Sequence, residues 1–175
     1  MDYQQSRAYI RDAEQYAGGA LDLTNIKEIM KRLGNPQDQL KYVHVAGTNG
    51  KGSVIAYLYT TLTNAGYHVG RYISPSVYSY REKIEVEGTP ISREQFAKHT
   101  TRVAAVIEEM TAEGLAHPTP FEIETAVAFL FFAEEKCDPV ILEVGMGGIT
   151  GWRNNSCDYH NNHQCMTTVF AQERF

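Results

Sequence analysis

The chain has 175 residues, with 16 Lys and Arg against 21 Asp and Glu, a net charge of −5, 43% apolar and 21% charged residues. This is the usage of a soluble globular chain long enough to bury a sizeable core. It excludes collagen-like, mucin-like and bulk-disordered classes, and the acidity argues against a general nucleic-acid binder. No stretch reaches about 18 consecutive apolar residues, so no membrane span is expected. The first residues also lack the basic and apolar regions of a secretory signal. Cys137, Cys157 and Cys165 are odd in number and widely spaced, which fits a reducing cytoplasm better than a disulfide framework. Two of these cysteines, four of the eight Asn and the single Trp fall in the last 27 residues.

In chain order, Tyr3 to Tyr16 is polar and helix-compatible. Leu23 to Leu33 places Leu23, Ile26, Ile29, Met30 and Leu33 on one helical face, with Asp22 as cap and Gly34-Asn35-Pro36 as stop. Leu40 to Ala46 reads as a strand. A glycine-rich turn follows, then a helix from Lys51 to Ala65 that stops at Gly66. His68 to Ile73 is a second strand, Glu82 to Val86 alternates like a half-exposed strand, and Gly88-Thr89-Pro90 reads as a turn. Ser92 and Gln95 form a capping box that opens a helix ending at Gly114. Thr119, Pro120 and Glu122 repeat the device before a helix to Lys136 that is apolar nearly all round. Val140 to Val144 is a continuous apolar run of the kind that fills the middle of a parallel sheet. From Ile149 to Phe175 neither period persists, and neither an internal repeat nor an interdomain linker is evident.

The strongest chemical signal is Gly47-Thr48-Asn49-Gly50-Lys51-Gly52-Ser53, set between a strand and a helix. Glycines let backbone N–H groups crowd around phosphate oxygens, and the helix start adds roughly half a positive charge. Lys51 can reach the β- and γ-phosphates of ATP and Ser53 can place its hydroxyl on Mg²⁺. The strict phosphate-loop pattern is not met. Val45 stands in place of its first Gly, and Gly52 separates Lys51 from Ser53.

That departure is itself a landmark. The loop resembles that of folylpolyglutamate synthases and bifunctional dihydrofolate synthases, in the Mur ligase superfamily. Further landmarks follow in family order: Leu33-Gly34-Asn35-Pro36, Ser74-Pro75, Glu82-Lys83-Ile84, Phe121-Glu122 with Thr125 and Ala126, and Leu142-Glu143-Val144-Gly145-Met146-Gly147-Gly148. The resemblance covers residues 20 to 148. It implies an α/β fold with a phosphate-loop, mostly parallel sheet flanked by helices, the Mur ligase central domain, here incomplete. It also implies a cytoplasmic monomeric ligase that uses ATP and Mg²⁺ to join L-glutamate to folate or dihydropteroate through an acyl phosphate, with no nucleic-acid or membrane partner.

Carried over by motif, the resemblance makes Gly47, Thr48, Asn49, Gly50, Lys51, Gly52 and Ser53 the ATP-binding residues. Lys51 and Glu143 are the catalytic pair, and Ser53, Ser74 and Glu143 the metal ligands. Glu143 alone, at a strand end, reads equally as a surface acid. Beside a phosphate loop, at the carboxyl ends of the strands, the metal reading is the better one. Ser76, Tyr78, Tyr80, Glu82 and Phe121 are the implied substrate contacts, and the segment from Ser74 to Glu87 resembles the mobile loop that covers the pterin in family members. Ser76 stands where most members have His, and Lys83 where they have Arg, so charge is kept there without the planar fork. Tyr78 and Tyr80 read equally as exposed loop tyrosines.

After Gly148 the family pattern stops. The expectation is therefore a family-like segment 1–148, a divergent tail 149–175 that is either the product of a changed reading frame or disordered, and no C-terminal glutamate-ligase domain. Loss of the strands that should follow Val140 to Val144 leaves an apolar sheet edge, an aggregation liability. His160 and His163 with Cys157 and Cys165 suggest zinc only superficially. The rival readings are a small P-loop kinase or NTPase, a non-catalytic ATP-binding fragment, and a muramyl-peptide ligase.

Overall fold

A computed structural model describes residues 1–17, 23–47, 49–144 and the backbone of 168–172. In chain order its elements are α1 (Tyr3–Asp12), α2 (Thr24–Arg32), β1 (Tyr42–Ala46), α3 (Lys51–Asn64), β2 (Gly70–Tyr72), β3 (Ile84–Val86), β4 (Thr89–Pro90), α4 (Arg93–Ala112), α5 (Pro120–Glu134), β5 (Val140–Glu143) and β6 (Thr168–Gln172). Two units interleave along the sequence. Met1–Gln39 and Ile91–Glu135 form a helical unit, and Leu40–Pro90 with Lys136–Phe175 form a unit that holds the sheet.

In the helical unit α5 is surrounded by α1, α2 and α4, which explains why it has no polar face. Its residues from Ile123 through Phe132 are all buried, and each large apolar side chain there contributes about 1.5–3 kcal/mol. The starts of α1, α4 and α5 are closed by reciprocal side-chain bonds. Asp2 pairs with Gln5, Ser92 with Gln95 and Thr119 with Glu122, and Pro120 fills a first-turn position whose N–H would have no helical partner. The box at Asp2 is one that the sequence reading missed. Arg32, in the last turn of α2, grips Glu28 at 2.8 Å and both carboxylate oxygens of Glu113 at 2.9 and 2.6 Å. These bonds hold both carboxyls below the usual range. His99 on α4 has no exposed surface, neither ring nitrogen finds a hydrogen-bond partner, and Glu134 Oε2 lies 3.8 Å from Nε2. Burial lowers its pKa to about 4.

The sheet has the order β4-β3-β2-β5-β1-β6. Its centre, β2-β5-β1, is parallel, and β3, β4 and β6 pair antiparallel. Helix α3 covers one face, where Val45, Ile55, Val69 and Ile141 form a core flanked by Val54, Leu58, Leu62 and Ile73.

Three details differ from the sequence reading. The segment from Glu82 is a short 3-10 turn, Tyr80–Lys83, before β3 begins at Ile84. Glu85 is buried rather than half-exposed, because it meets Arg71 of β2 in an ion pair. Thr89-Pro90 is strand β4, with the reversal displaced to Glu87 and Gly88, both at positive φ. The expected bare edge also differs. β5 lies between β1 and β2, and the outer side of β1 is paired by β6, from Tyr42 opposite Gln172 to Ala46 opposite Thr168. The sequence reading placed no strand there because residues 168–172 follow a stretch without periodicity. Asp22, Thr48, Gly145 to Gly148, Cys157, His160, His163 and Cys165, and with them the cap, the motif end and the zinc reading, lie outside the described residues.

Candidate active site

Strand β1 delivers the chain to Gly47, and Gly50 turns it into α3 at φ 80°, a left-handed conformation that glycine adopts without steric cost. No side chain caps α3, so its first amides point into the corner above the strand ends, where the helix carries its positive end. Lys51, the first residue of the helix, folds back so that Nζ donates to Gly47 O at 3.1 Å. The same Nζ lies 3.7 Å from Glu143 Oε1.

Glu143 reaches this point because β5 is central. It stands opposite Val45 in the parallel register, one residue past the Leu142–Tyr72 pair with β2. Its other oxygen, Oε2, accepts the N–H of Ser74 at 3.1 Å, two residues past the end of β2. The side chains of Lys51 and Glu143 are 23% and 11% exposed, a half-enclosed ion pair still within reach of a ligand. Three segments far apart in sequence thus meet at the carboxyl ends of three parallel strands, where open α/β sheets bind ligands. Of the residues singled out by sequence, Lys51, Ser74 and Glu143 come together here, with Gly47 and Gly50 shaping the loop. Asn49, Gly52 and Ser53 are exposed on the loop and first helical turn. The acceptor role of the Gly47 carbonyl carried no sequence signal.

The loop beyond Ser74 is differently built. Val77 and Tyr78 are 78% and 95% exposed. Lys83 Nζ sits 4.3 Å from the Tyr80 ring centroid, a cation–π contact, and Ser76 is half-buried. The Glu82 carboxylate accepts N–H bonds from Val77, from Tyr78 at 2.9 Å and from Ser79 at 3.0 Å. Those bonds, Val77's first, hold its pKa below the usual value. Phe121, 46% exposed in the first turn of α5, belongs to the helical unit.

A parallel strand-end corner with a phosphate loop, a retracted lysine and a facing carboxylate defines an α/β phosphate-loop fold. No family model matches the chain. It is 42% identical over 147 residues to the dihydrofolate synthase/folylpolyglutamate synthase of Bacillus subtilis, covering 83% of this chain and 34% of that protein. It is 34% identical to the folylpolyglutamate synthase of Lacticaseibacillus casei over 155 residues, 88% of this chain and 36% of that one. The L. casei enzyme in its apo form superposes with a TM-score of 0.81 at 33% identity, over 86% of this chain and 37% of that chain. A folylpolyglutamate synthase in complex with AMPPCP and folate gives 0.78 at 33% identity, over the same shares, 86% and 37%. The chain belongs to the folylpolyglutamate synthase and dihydrofolate synthase family, and it spans about a third of the length of the curated relatives it matches. Among the described residues no helix is long and apolar enough to cross a membrane.

Proposed function

We propose that this chain forms the nucleotide-binding part of a cytoplasmic, monomeric ligase that uses ATP to join L-glutamate to a folate or to dihydropteroate, without a nucleic-acid or membrane partner. Residues 1–148 carry this reading and residues 149–175 stand outside it. The observation that supports it most is the meeting of Lys51, Glu143 and the Ser74 N–H at the uncapped start of α3. Gly47 to Ser53 cradle the phosphates, and Lys51 exchanges the Gly47 carbonyl for phosphate oxygens. Gly52 fits this role. A Cβ there would meet no atom within 4 Å beyond its own stretch of helix and its φ is ordinary, so neither tertiary packing nor backbone conformation asks for glycine. Close approach of a ligand to the backbone does.

The donor set suits Mg²⁺. The Ser53 and Ser74 hydroxyls and the Glu143 carboxylate are hard oxygens, and among the described residues no three His, Cys, Asp or Glu gather into a closed cage. Mg²⁺ typically shares its shell with phosphate in this way. When bound there it supplies neutralisation of the charge on the terminal phosphates.

The reaction that fits is phosphoryl transfer followed by acyl transfer. A substrate carboxylate oxygen bonds to the γ-phosphorus as the bond to the β-phosphate oxygen breaks and ADP leaves. The glutamate amine then attacks the acyl carbon, loses a proton, and inorganic phosphate departs. The chain's own contribution is positioning and charge: backbone N–H groups hold the phosphates and Lys51 follows the transferring group. Ser76, Tyr78 and Tyr80 are the proposed substrate contacts of the sheet unit, and Phe121 is a separate candidate in the helical unit.

Calorimetric titration of the 175-residue chain with AMPPCP and Mg²⁺ is expected to show weak saturable binding, reduced about a hundredfold by Lys51→Ala. Absence of binding, or binding indifferent to that substitution, overturns the reading. Labelled-glutamate incorporation into folate is expected to be undetectable for these residues on their own.

A further inference from the structure

We propose that Glu82 is a positioning residue: its carboxylate clamps residues 77–79 so that the loop after β2 stands preformed, presenting Val77 and Tyr78 outward beside the nucleotide corner. The proposal rests on the ligase reading for the identity of the loop's ligand, and it changes the place of Glu82, which as a substrate contact would need a free carboxylate.

Three backbone amides hold that carboxylate. Oε1 accepts from Val77 and Tyr78, Oε2 accepts from Ser79, and the Glu82 N–H returns a bond to Ser79 O at 3.0 Å. Three consecutive amide donors thus point at one side chain, a concavity that favours an anionic acceptor. Glu82 itself is anchored. The next residue, Lys83, accepts the Ile73 N–H at 2.9 Å, and β3 follows at once, tied to β2 through Arg71 and Glu85. The other end of the loop is Ser74, whose N–H holds Glu143.

So the loop leaves from the residue that fixes the acidic group of the corner and returns onto the residue that fixes the loop. Between them Val77 and Tyr78 are 78% and 95% exposed, large apolar side chains with little protein against them. Held in place before a ligand arrives, they offer a flat apolar ring of the kind that takes an aromatic heterocycle, without the cost of ordering the loop on binding.

Amide hydrogen exchange on the 175-residue chain tests the clamp directly. E82A is expected to lower protection at the Val77, Tyr78 and Ser79 amides about tenfold or more, while β1, β2 and β5 keep theirs. Added formate or acetate, re-entering the vacated nest, is expected to restore part of that protection, and chloride at equal ionic strength is not. E82Q keeps the shape with a single acceptor oxygen. It is expected to lose protection either at Ser79 or at the Val77 and Tyr78 pair, but not at both.

With AMPPCP and Mg²⁺ present, folate affinity is expected to fall about tenfold in E82A, with AMPPCP affinity within about twofold of wild type. Unchanged protection in E82A, or loss spread evenly over the sheet and repeated in E82Q, overturns the clamp. Equal folate affinity in wild type and in an unprotected E82A overturns the positioning role. No folate affinity in the wild-type chain, with the clamp present, sinks the ligase reading and the loop's substrate role with it.

Discussion

Helix starts in this molecule are of two kinds, and the division does not follow the two units strictly: α2 of the helical unit also lacks a side-chain cap, and the 3-10 turn Tyr80–Lys83 of the sheet unit carries a Ser79–Glu82 box. In the helical unit α1, α4 and α5 each begin with a side chain that satisfies the first free amides and receives a bond in return. In the sheet unit α3 begins at a left-handed glycine with no side-chain cap, and the nearest cation is parked on the loop's own carbonyl. The same backbone groups are closed in one place and left available in the other. Sequence chemistry makes the distinction: Asp, Ser or Thr with Gln or Glu three residues on seals a helix, whereas Gly-Lys-Gly-Ser leaves it open to an anion. Charge follows the same division. Arg32 is committed to Glu28 and Glu113, while Lys51 and Glu143 face each other at 3.7 Å in a half-enclosed corner.

The largest test of this division is Phe132→Ala. Phe132 is fully buried on α5, so its truncation is expected to cost about 3–5 kcal/mol in urea unfolding. In the fraction that stays folded, AMPPCP affinity should hold, and a parallel collapse of both would show that the two units do not divide stability from binding.

A smaller effect concerns His99. Its folded pKa of about 4 lies below the ordinary 6.5, so between those values the unfolded chain takes up more protons. The stability tied to neutral His99 is therefore whole above pH 6.5 and declines as pH falls toward 4. The groups facing it are Lys98 and Arg102 on its own helix, which oppose protonation, and Glu134 of α5, which favours it but less than burial disfavours it. His99→Phe is expected to remove on the order of 2 kcal/mol of that acid loss, read as a flatter dependence of unfolding midpoint on pH. An unaltered slope would assign the acid sensitivity elsewhere.

Smallest is Thr119→Ala. Glu122 Oε2 accepts the Thr119 N–H and hydroxyl at 2.8 and 2.9 Å, and the Glu122 N–H reaches the Thr119 hydroxyl at 3.4 Å. Loss of the cap is expected to cost about 1 kcal/mol with nucleotide affinity intact. A change in affinity would show that the sealed and open helix starts are not independent.

Much of this was legible beforehand because the signals are local. The phosphate loop, both capping boxes behind Ser92 and Thr119, the glycine stops at Gly34, Gly66 and Gly114, and the all-apolar α5 depend on residues within one or two turns of each other. The convergence of Ser74 and Glu143 was legible only indirectly, through their shared position at strand ends and through family resemblance, since their hydrogen bond spans 69 residues. That Ser74 meets Glu143 through its backbone N–H is invisible in any sequence, because every non-proline residue has that donor. Glu85 was misread because alternation reports polarity and not pairing: Arg71 lies on a strand that only the antiparallel register brings opposite. Glu82 was legible as a motif residue, but its three amide partners depend on the path of the loop between them.

The interleaving of the two units bears on how the protein is made. As the chain emerges from the ribosome, β1, α3 and β2 are complete by residue 72, but the strand that must lie between β1 and β2 comes about seventy residues later. Until then β1 and β2 have no shared neighbour, and helices α4 and α5 of the other unit are synthesised in the gap. Such distant pairing closes slowly, since the loop entropy is lost before the contacts form. Glu143 is the last residue of that strand. The acidic side of the nucleotide corner is therefore among the last groups to reach its place, and a nascent chain gains its candidate catalytic pair only when the middle of its sheet has been filled.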